Sequence, residues 1–150
     1  MLPFRRVLCP TDFSEASYEA LKAANELALH FSGELYLVHV VAPVPIVEAP
    51  TSFNVSLYQQ ELTQSAERSL REVIEQRVAK ELEVRPVVAL GYAAEEIVRI
   101  AAEVSADVIV IATQGTTGWR RFIFGSVAER VVRLASCPVL TIQAVSERTD

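Results

Sequence analysis

The chain has 150 residues, 51% of them apolar and 22% charged, with a net charge of −5 at pH 7 and a pI near 5.1. That length is enough to bury a core as one domain, and the acidic balance excludes a general nucleic-acid or anionic-membrane binder, since both need a basic face. No apolar run is long enough to span a bilayer, because His39, Pro43 and Pro45 interrupt the longest candidate.

The N-terminal stretch MLPFRRVLCPTDF has no extended apolar segment after its arginines and does not read as a signal peptide. Cys9 and Cys137 form neither a CxxC pair nor a metal-ligand spacing, so they are expected as reduced thiols of a cytoplasmic protein. Residues 5–10, RRVLCP, predict a short apolar strand. A helix follows over 11–33, with Ala16, Ala20, Leu21, Ala24, Leu27, Ala28 and Phe31 in a stripe. Asp12 or Ser14 can cap it, Asp12 and Glu15 have capping-box spacing, and Gly33 falls where a left-handed C-cap is expected. Residues 34–41, ELYLVHVV, predict a second strand. Pro43, Pro45 and Pro50 make 42–56 an irregular connection.

Leu62, Ala66, Leu70, Val73, Ile74 and Val78 mark a long helix over 57–81, and EVRPVVAL (83–90) a third strand. Gly91 turns the chain into a helix carrying Ile97, Ile100, Ala101 and Val104. ADVIVIAT (106–113) predicts the fourth strand. A Gly-containing loop leads to a helix with Val127, Val131, Leu134 and Ala135, then a fifth strand over 138–145 and the polar tail SERTD. No internal repeat or linker divides the chain, so residues 1–150 are expected to form one domain.

Strands alternating with helices predict an open parallel five-stranded sheet with helices on both faces, a Rossmann-like arrangement. The continuously apolar first and fourth strands suit the centre. Pro86 cannot donate to a ladder and places the third strand at an edge. The fifth strand alternates between faces and suits the other edge. The order 3-2-1-4-5 satisfies these constraints and reverses the direction of travel between strands 1 and 4. Ligands of open α/β sheets bind beyond the carboxyl ends of strands at such a switch point. Pro10, Thr11, Asp12 and the loop after Ile111 would meet there.

That loop lies within VIVIATQGTTGWRRFIFGS, residues 108–126. A phosphate site needs inward main-chain N–H groups, close approach without side chains, and a helix N-terminus. Gly115 allows the approach, and Gly125 and Ser126 open the last helix. The plainer alternative makes Gly115 and Gly118 turn glycines and Ser126 a helix cap. Arg120 and Arg121 are in position for a γ-phosphate or for solvent. Trp119, Phe122, Ile123 and Phe124 suit a lid, a partner surface or packing beneath the loop.

Three blocks, CPTDFSEASYEALKAANELA, ALGYAAEEIVRIAAEVSADVIVIAT and GSVAERVVRLASCPVLTI, resemble the universal stress protein family over nearly the whole chain. Many members bind ATP through G-x2-G-x9-G-(S/T). Here Ala112 replaces the first glycine, and Gly115, Gly125 and Ser126 match the remaining positions. The resemblance implies ATP as ligand, with Mg²⁺ arriving mostly on phosphates and water. It implies that Pro10, Thr11 and Asp12 contact the base and ribose, that the backbone of Val40 holds the adenine edge, and that Val127 joins the phosphate end. It also implies a homodimer through the strand at 138–145, whose edge carries no charge and no internal proline. If position 112 requires a left-handed backbone, alanine costs about 1–2 kcal/mol; if it requires only proximity, one methyl is a smaller obstacle.

There is no G-x4-G-K-[ST] motif, no His/Cys/Asp cluster for a metal, and no obvious general base in the loop. His30 reads as a dipole partner at a helix C-terminus, and His39 as a packed or hydrogen-bonded residue at the core edge. The expected function is a nucleotide-binding stress-response or signalling module with little or no turnover. The alternatives are a nucleotide-independent dimeric interaction protein of the same fold, with a protein partner the sequence does not name, and a slow hydrolase of ATP or another phosphate ester.

Overall fold

The computed structural model describes residues 1–45, 52–113 and 124–144. Strands β1 (Arg6–Pro10), β2 (Glu34–Val41), β3 (Glu83–Leu90), β4 (Val108–Ala112) and β5 (Val139–Ile142) form one parallel sheet of five strands, in the order β3-β2-β1-β4-β5. This is the expected order, and β2 and β3 have the expected bounds. The central strands are the driest: Val7, Leu8, Cys9, Ile109 and Val110 are fully buried. β3, with Pro86, lies on one edge and β5 on the other.

Helices α1 (Glu15–His30) and α2 (Val55–Arg77) cover one face, and α3 (Ala93–Glu103) and α4 (Ser126–Leu134) the other. Under the first pair, Val7, Cys9, Leu35, Leu37, Val108 and Val110 pack on Leu21, Ala24 and Leu70. On the opposite face, Leu8, Val38, Ile109 and Ile111 pack on Ile97, Ile100, Ala128 and Val131. The alternation follows the two-residue period of a strand. The division of helices follows from handedness. Right-handed crossovers travelling from β1 outward to β3 put α1 and α2 on one face, and crossovers travelling back to β4 and β5 put α3 and α4 on the other. Among the described residues no helix is long and apolar enough to cross a membrane.

β5 covers Val139–Ile142 rather than the expected 138–145, and α1 runs Glu15–His30 rather than 11–33. Local chemistry explains two further departures. α2 ends at Arg77 rather than at 81, because the buried Asn25 of α1 intercepts its C-terminus. The Asn25 Nδ2 donates to the Arg77 carbonyl (2.7 Å), and its Oδ1 accepts from the Ala79 amide (3.2 Å). The left-handed residue after α1 is Ser32 (φ 51°), not Gly33. The Gly33 amide donates to the Ala28 carbonyl (2.8 Å) and the Ser32 amide to that of Leu29 (3.2 Å), the paired bonds of a Schellman motif. Gly33 is needed for a different reason: a Cβ there would lie 2.3 Å from the Arg5 carbonyl oxygen.

Candidate functional site at the carboxyl ends of the strands

β1 pairs with β2 as far as Pro10↔Val38, but with β4 only at Val7↔Val108 and Leu8↔Ile109. Beyond Leu8 the two central strands part, and a cleft of about 220 Å³ opens between them. Pro10, Thr11 and Asp12 form one wall, and Ile111, Ala112 and Thr113 the other. Val38, His39 and Val40 of β2 and Ile97 of α3 lie between, and Gly125, Ser126 and Val127 form the rim. Every expected site residue that is described therefore meets at this cleft. Gly115 lies outside the described residues, as do Gly118, Trp119, Arg120, Arg121, Phe122 and Ile123. Phe124 is described and exposed.

The first wall is held by its own hydroxyls. Thr11 and Ser17 are buried, with their oxygens 2.9 Å apart. The Ser17 hydroxyl donates to the Ser14 carbonyl (2.7 Å), so its single proton is committed, and the Thr11 hydroxyl donates to Ser17. Thr11 Oγ1 in turn accepts the Phe13 amide (3.0 Å). Of the two possible caps, Ser14 is the one that caps α1, accepting from the Ser17 amide. Asp12 stands one step outside, its Oδ1 accepting the Ser14 amide (3.0 Å) and the Ser14 hydroxyl. Between them Phe13 takes a left-handed backbone (φ 63°), uncommon for a residue of its bulk.

Position along the sequence gave no reason to place His39 at the site, yet it lines the cleft. Its Nδ1 lies 2.8 Å from the Thr11 carbonyl oxygen, and its ring packs tilted against that of Phe13, with centroids 4.5 Å apart and planes at 37°. The hydrogen-bonded role expected for it is the one it has. The signal for its second role was available in the strand order: β2 outruns β1, so its last residues face the switch point.

The same overrun presents Val40. The Thr11 amide donates to the Val38 carbonyl (2.8 Å), so the main-chain groups of Val38 point toward β1. Strand alternation aims those of Val40 to the same side, where β1 has already turned away. Val41 points to the opposite side, accepting from Gly91 (3.0 Å).

On the far wall Ala112 is an ordinary strand residue, paired with Ile142, and its side chain packs on the core under α1. It is not among the non-glycine residues with positive φ. Alanine here therefore carries no left-handed penalty. Gly125 caps α4 with φ −57° and ψ 150°, a conformation open to any residue, and no side chain caps this helix. The Glu129 amide is the first to bond within the helix, to the Gly125 carbonyl (3.0 Å). The amides at the start of α4 thus precede its hydrogen-bond ladder and stand at the rim.

Asp12 is the only carboxylate among the described lining residues, and no Lys or Arg lines the cleft among them. No cluster of metal-ligating side chains occurs among the described residues. Cys9, in the sheet below, is no nucleophile: burial pushes its thiol up to about 12.

Strand order and cleft together define an open, doubly wound α/β protein with a cleft at the topological switch point. Residues 3–143 match the universal stress protein family model, and the chain belongs to that family. Universal stress protein MJ0531 of Methanocaldococcus jannaschii is 36% identical over 142 residues, covering 93% of this chain and 82% of its own. The solved structure of hypothetical protein MJ0577 superimposes with a TM-score of 0.85 at 26% identity, covering 97% of this chain and 100% of that one. The universal stress protein from Archaeoglobus fulgidus in complex with dAMP gives a TM-score of 0.58 at 25% identity, covering 95% and 99%.

Proposed function

We propose that this protein is an ATP-binding stress-response or signalling module that turns its nucleotide over little or not at all. One observation carries the reading: the Pro10–Asp12 turn, the main chain of Val40 and the uncapped amide end of α4 converge on a single cleft. Main-chain groups of a strand suit the edge of a base, a carboxylate such as Asp12 suits ribose hydroxyls, and free helix amides suit phosphate oxygens. The dAMP complex of the Archaeoglobus fulgidus protein supports a nucleotide of the adenine class. A triphosphate beside Asp12, with no cationic side chain among the described lining residues, calls for a divalent counter-ion, so Mg²⁺ is expected to enter with ATP. Among the described lining residues the candidate bases are Asp12 and His39, and both are engaged in holding the turn, Asp12 Oδ1 by the Ser14 amide and hydroxyl and His39 Nδ1 by the Thr11 carbonyl; this supports binding over hydrolysis.

The same reading places the protein in the cytoplasm, in keeping with two unpaired cysteines, and pairs it with a second copy through the edge of β5. Leu140 on that strand is 41% exposed. Isothermal titration with ATP, AMP and dAMP, each with and without Mg²⁺, tests the ligand. Saturable heat with ATP, strengthened by Mg²⁺, is expected. No heat and no thermal shift at millimolar nucleotide would leave the nucleotide-independent interaction protein as the better description.

A further inference from the structure

We infer that His39 is a positioning residue for the cleft, fixing the Thr11–Asp12 turn through its Nδ1 proton. The Thr11 oxygen that it meets is a carbonyl and can only accept. Nδ1 is therefore the donor, and the neutral ring holds its proton on Nδ1, leaving Nε2 with a lone pair. The bond joins residues 28 positions apart, at the level where β1 stops pairing with β2. Past Pro10 the sheet no longer holds the chain beyond the Thr11 amide, and the His39 ring takes over. It bonds the Thr11 carbonyl and packs, tilted, against the Phe13 ring.

The turn needs such support. Phe13 has φ 63°, a conformation that costs an L-residue energy unless its surroundings hold it. Asp12 lies between the two residues that His39 touches, so its carboxylate direction depends on both. Thr11 Oγ1 and Asp12 Oδ1 then lock the following amides, Phe13 and Ser14. His39 thus acts on a ligand through Asp12. The consequence for affinity rests on the nucleotide reading given above; the control of the turn does not.

Full-length protein, His39→Ala and His39→Asn provide the test, because an asparagine amide places a donor close to where Nδ1 stands. Three measurements are made on each: hydrogen exchange at the Phe13 and Ser14 amides without ligand, imidazole nitrogen shifts of the unsubstituted protein at mildly alkaline pH, and ATP titration. The ring is expected to carry its proton on Nδ1. His39→Ala is expected to speed exchange at both amides by roughly tenfold and weaken ATP by a similar factor, while His39→Asn recovers both to within about threefold. Unchanged exchange in His39→Ala, failure of Asn to restore it, or a proton on Nε2 would each overturn the positioning role. If the unsubstituted protein binds no ATP, the nucleotide reading fails, and exchange and tautomer still decide the role of His39.

Discussion

The Gly125 amide donates to the Thr113 carbonyl, 2.5 Å away, closing main chain to main chain the ends of the segment between β4 and α4. The start of α4 is thereby registered against the end of β4, and the uncapped amides of α4 against the cleft wall.

Because Gly125 has a backbone open to any residue, Gly125→Val should fold with a thermal midpoint close to that of the unsubstituted protein. A branched side chain at the rim should nonetheless weaken ATP by about a hundredfold or more. Ala112→Gly should change affinity by less than about threefold and cost roughly 0.5–1 kcal/mol of stability, since the methyl packs on the core and glycine weakens strands. Titration calorimetry and urea denaturation measure both. Unchanged ATP binding in folded Gly125→Val would show that the phosphates lie elsewhere.

Thr11→Val should destabilise by roughly 1–3 kcal/mol, because it strands the Phe13 amide and deprives Ser17 of its donor in a buried place. Thr11→Ser keeps the hydroxyl and should lose less than about 1 kcal/mol. Equal losses in urea denaturation would mean that the methyl, not the hydroxyl network, is what the site needs.

The turn between α1 and β2 permits a pair of opposite effects. Ser32→Gly relieves a left-handed serine and should stabilise by up to about 1 kcal/mol. Gly33→Ala drives a methyl against the Arg5 carbonyl and should destabilise by at least about 2 kcal/mol or prevent folding. Thermal melts of the two variants should move in opposite directions.

Burial raises the Cys9 thiol from 9.0 to about 12. Its contribution to stability is fully present below the unfolded value. Above that value the unfolded chain releases the proton and the folded one keeps it, so stability falls as pH rises toward the folded value, by about 1.4 kcal/mol per pH unit for this group. The penalty of Cys9→Ala should therefore shrink between about pH 8 and about pH 10.5 in urea titrations. A constant penalty across that range would show that the thiol is not protected. A thiol reagent should label Cys137 long before Cys9.

Leu140→Lys tests the pairing of two copies. Leu140 is exposed at the β5 edge, so the charge should leave the fold intact and give a monomer by sedimentation equilibrium at tens of micromolar, where the unsubstituted protein is expected to run as a dimer. A monomer mass for the unsubstituted protein would remove the edge-pairing proposal.

The strand order was legible because its determinants are local: an apolar run for each central strand, and Pro86 for an edge. The end of α2 was not, because the residue that stops it, Asn25, belongs to another helix. Asp12 and Ser14 were equally good caps in sequence, and only the fold shows Asp12 serving the turn while Ser14 serves the helix. The turn after α1 misled for a similar reason. A glycine suggested a left-handed residue, whereas crowding by Arg5, from the neighbouring strand, is what requires it. His39 entered the cleft through register alone, by the extra length of β2 over β1.

At the opposite end of the sheet, Asp107 Oδ2 accepts the amides of both Arg5 and Arg6, and the Asp107 amide donates to the Arg6 carbonyl. β1 and β4 are thus riveted at their amino ends, zipped for two rows, and free of each other beyond. The arrangement is that of a clothes peg whose spring is the driest part of the molecule. Opening the jaws further means breaking main-chain bonds among Val7, Leu8, Val108 and Ile109, where water cannot replace them. The depth of the cleft is therefore fixed by where a backbone ladder stops, and any accommodation of a larger guest has to come from the mouth.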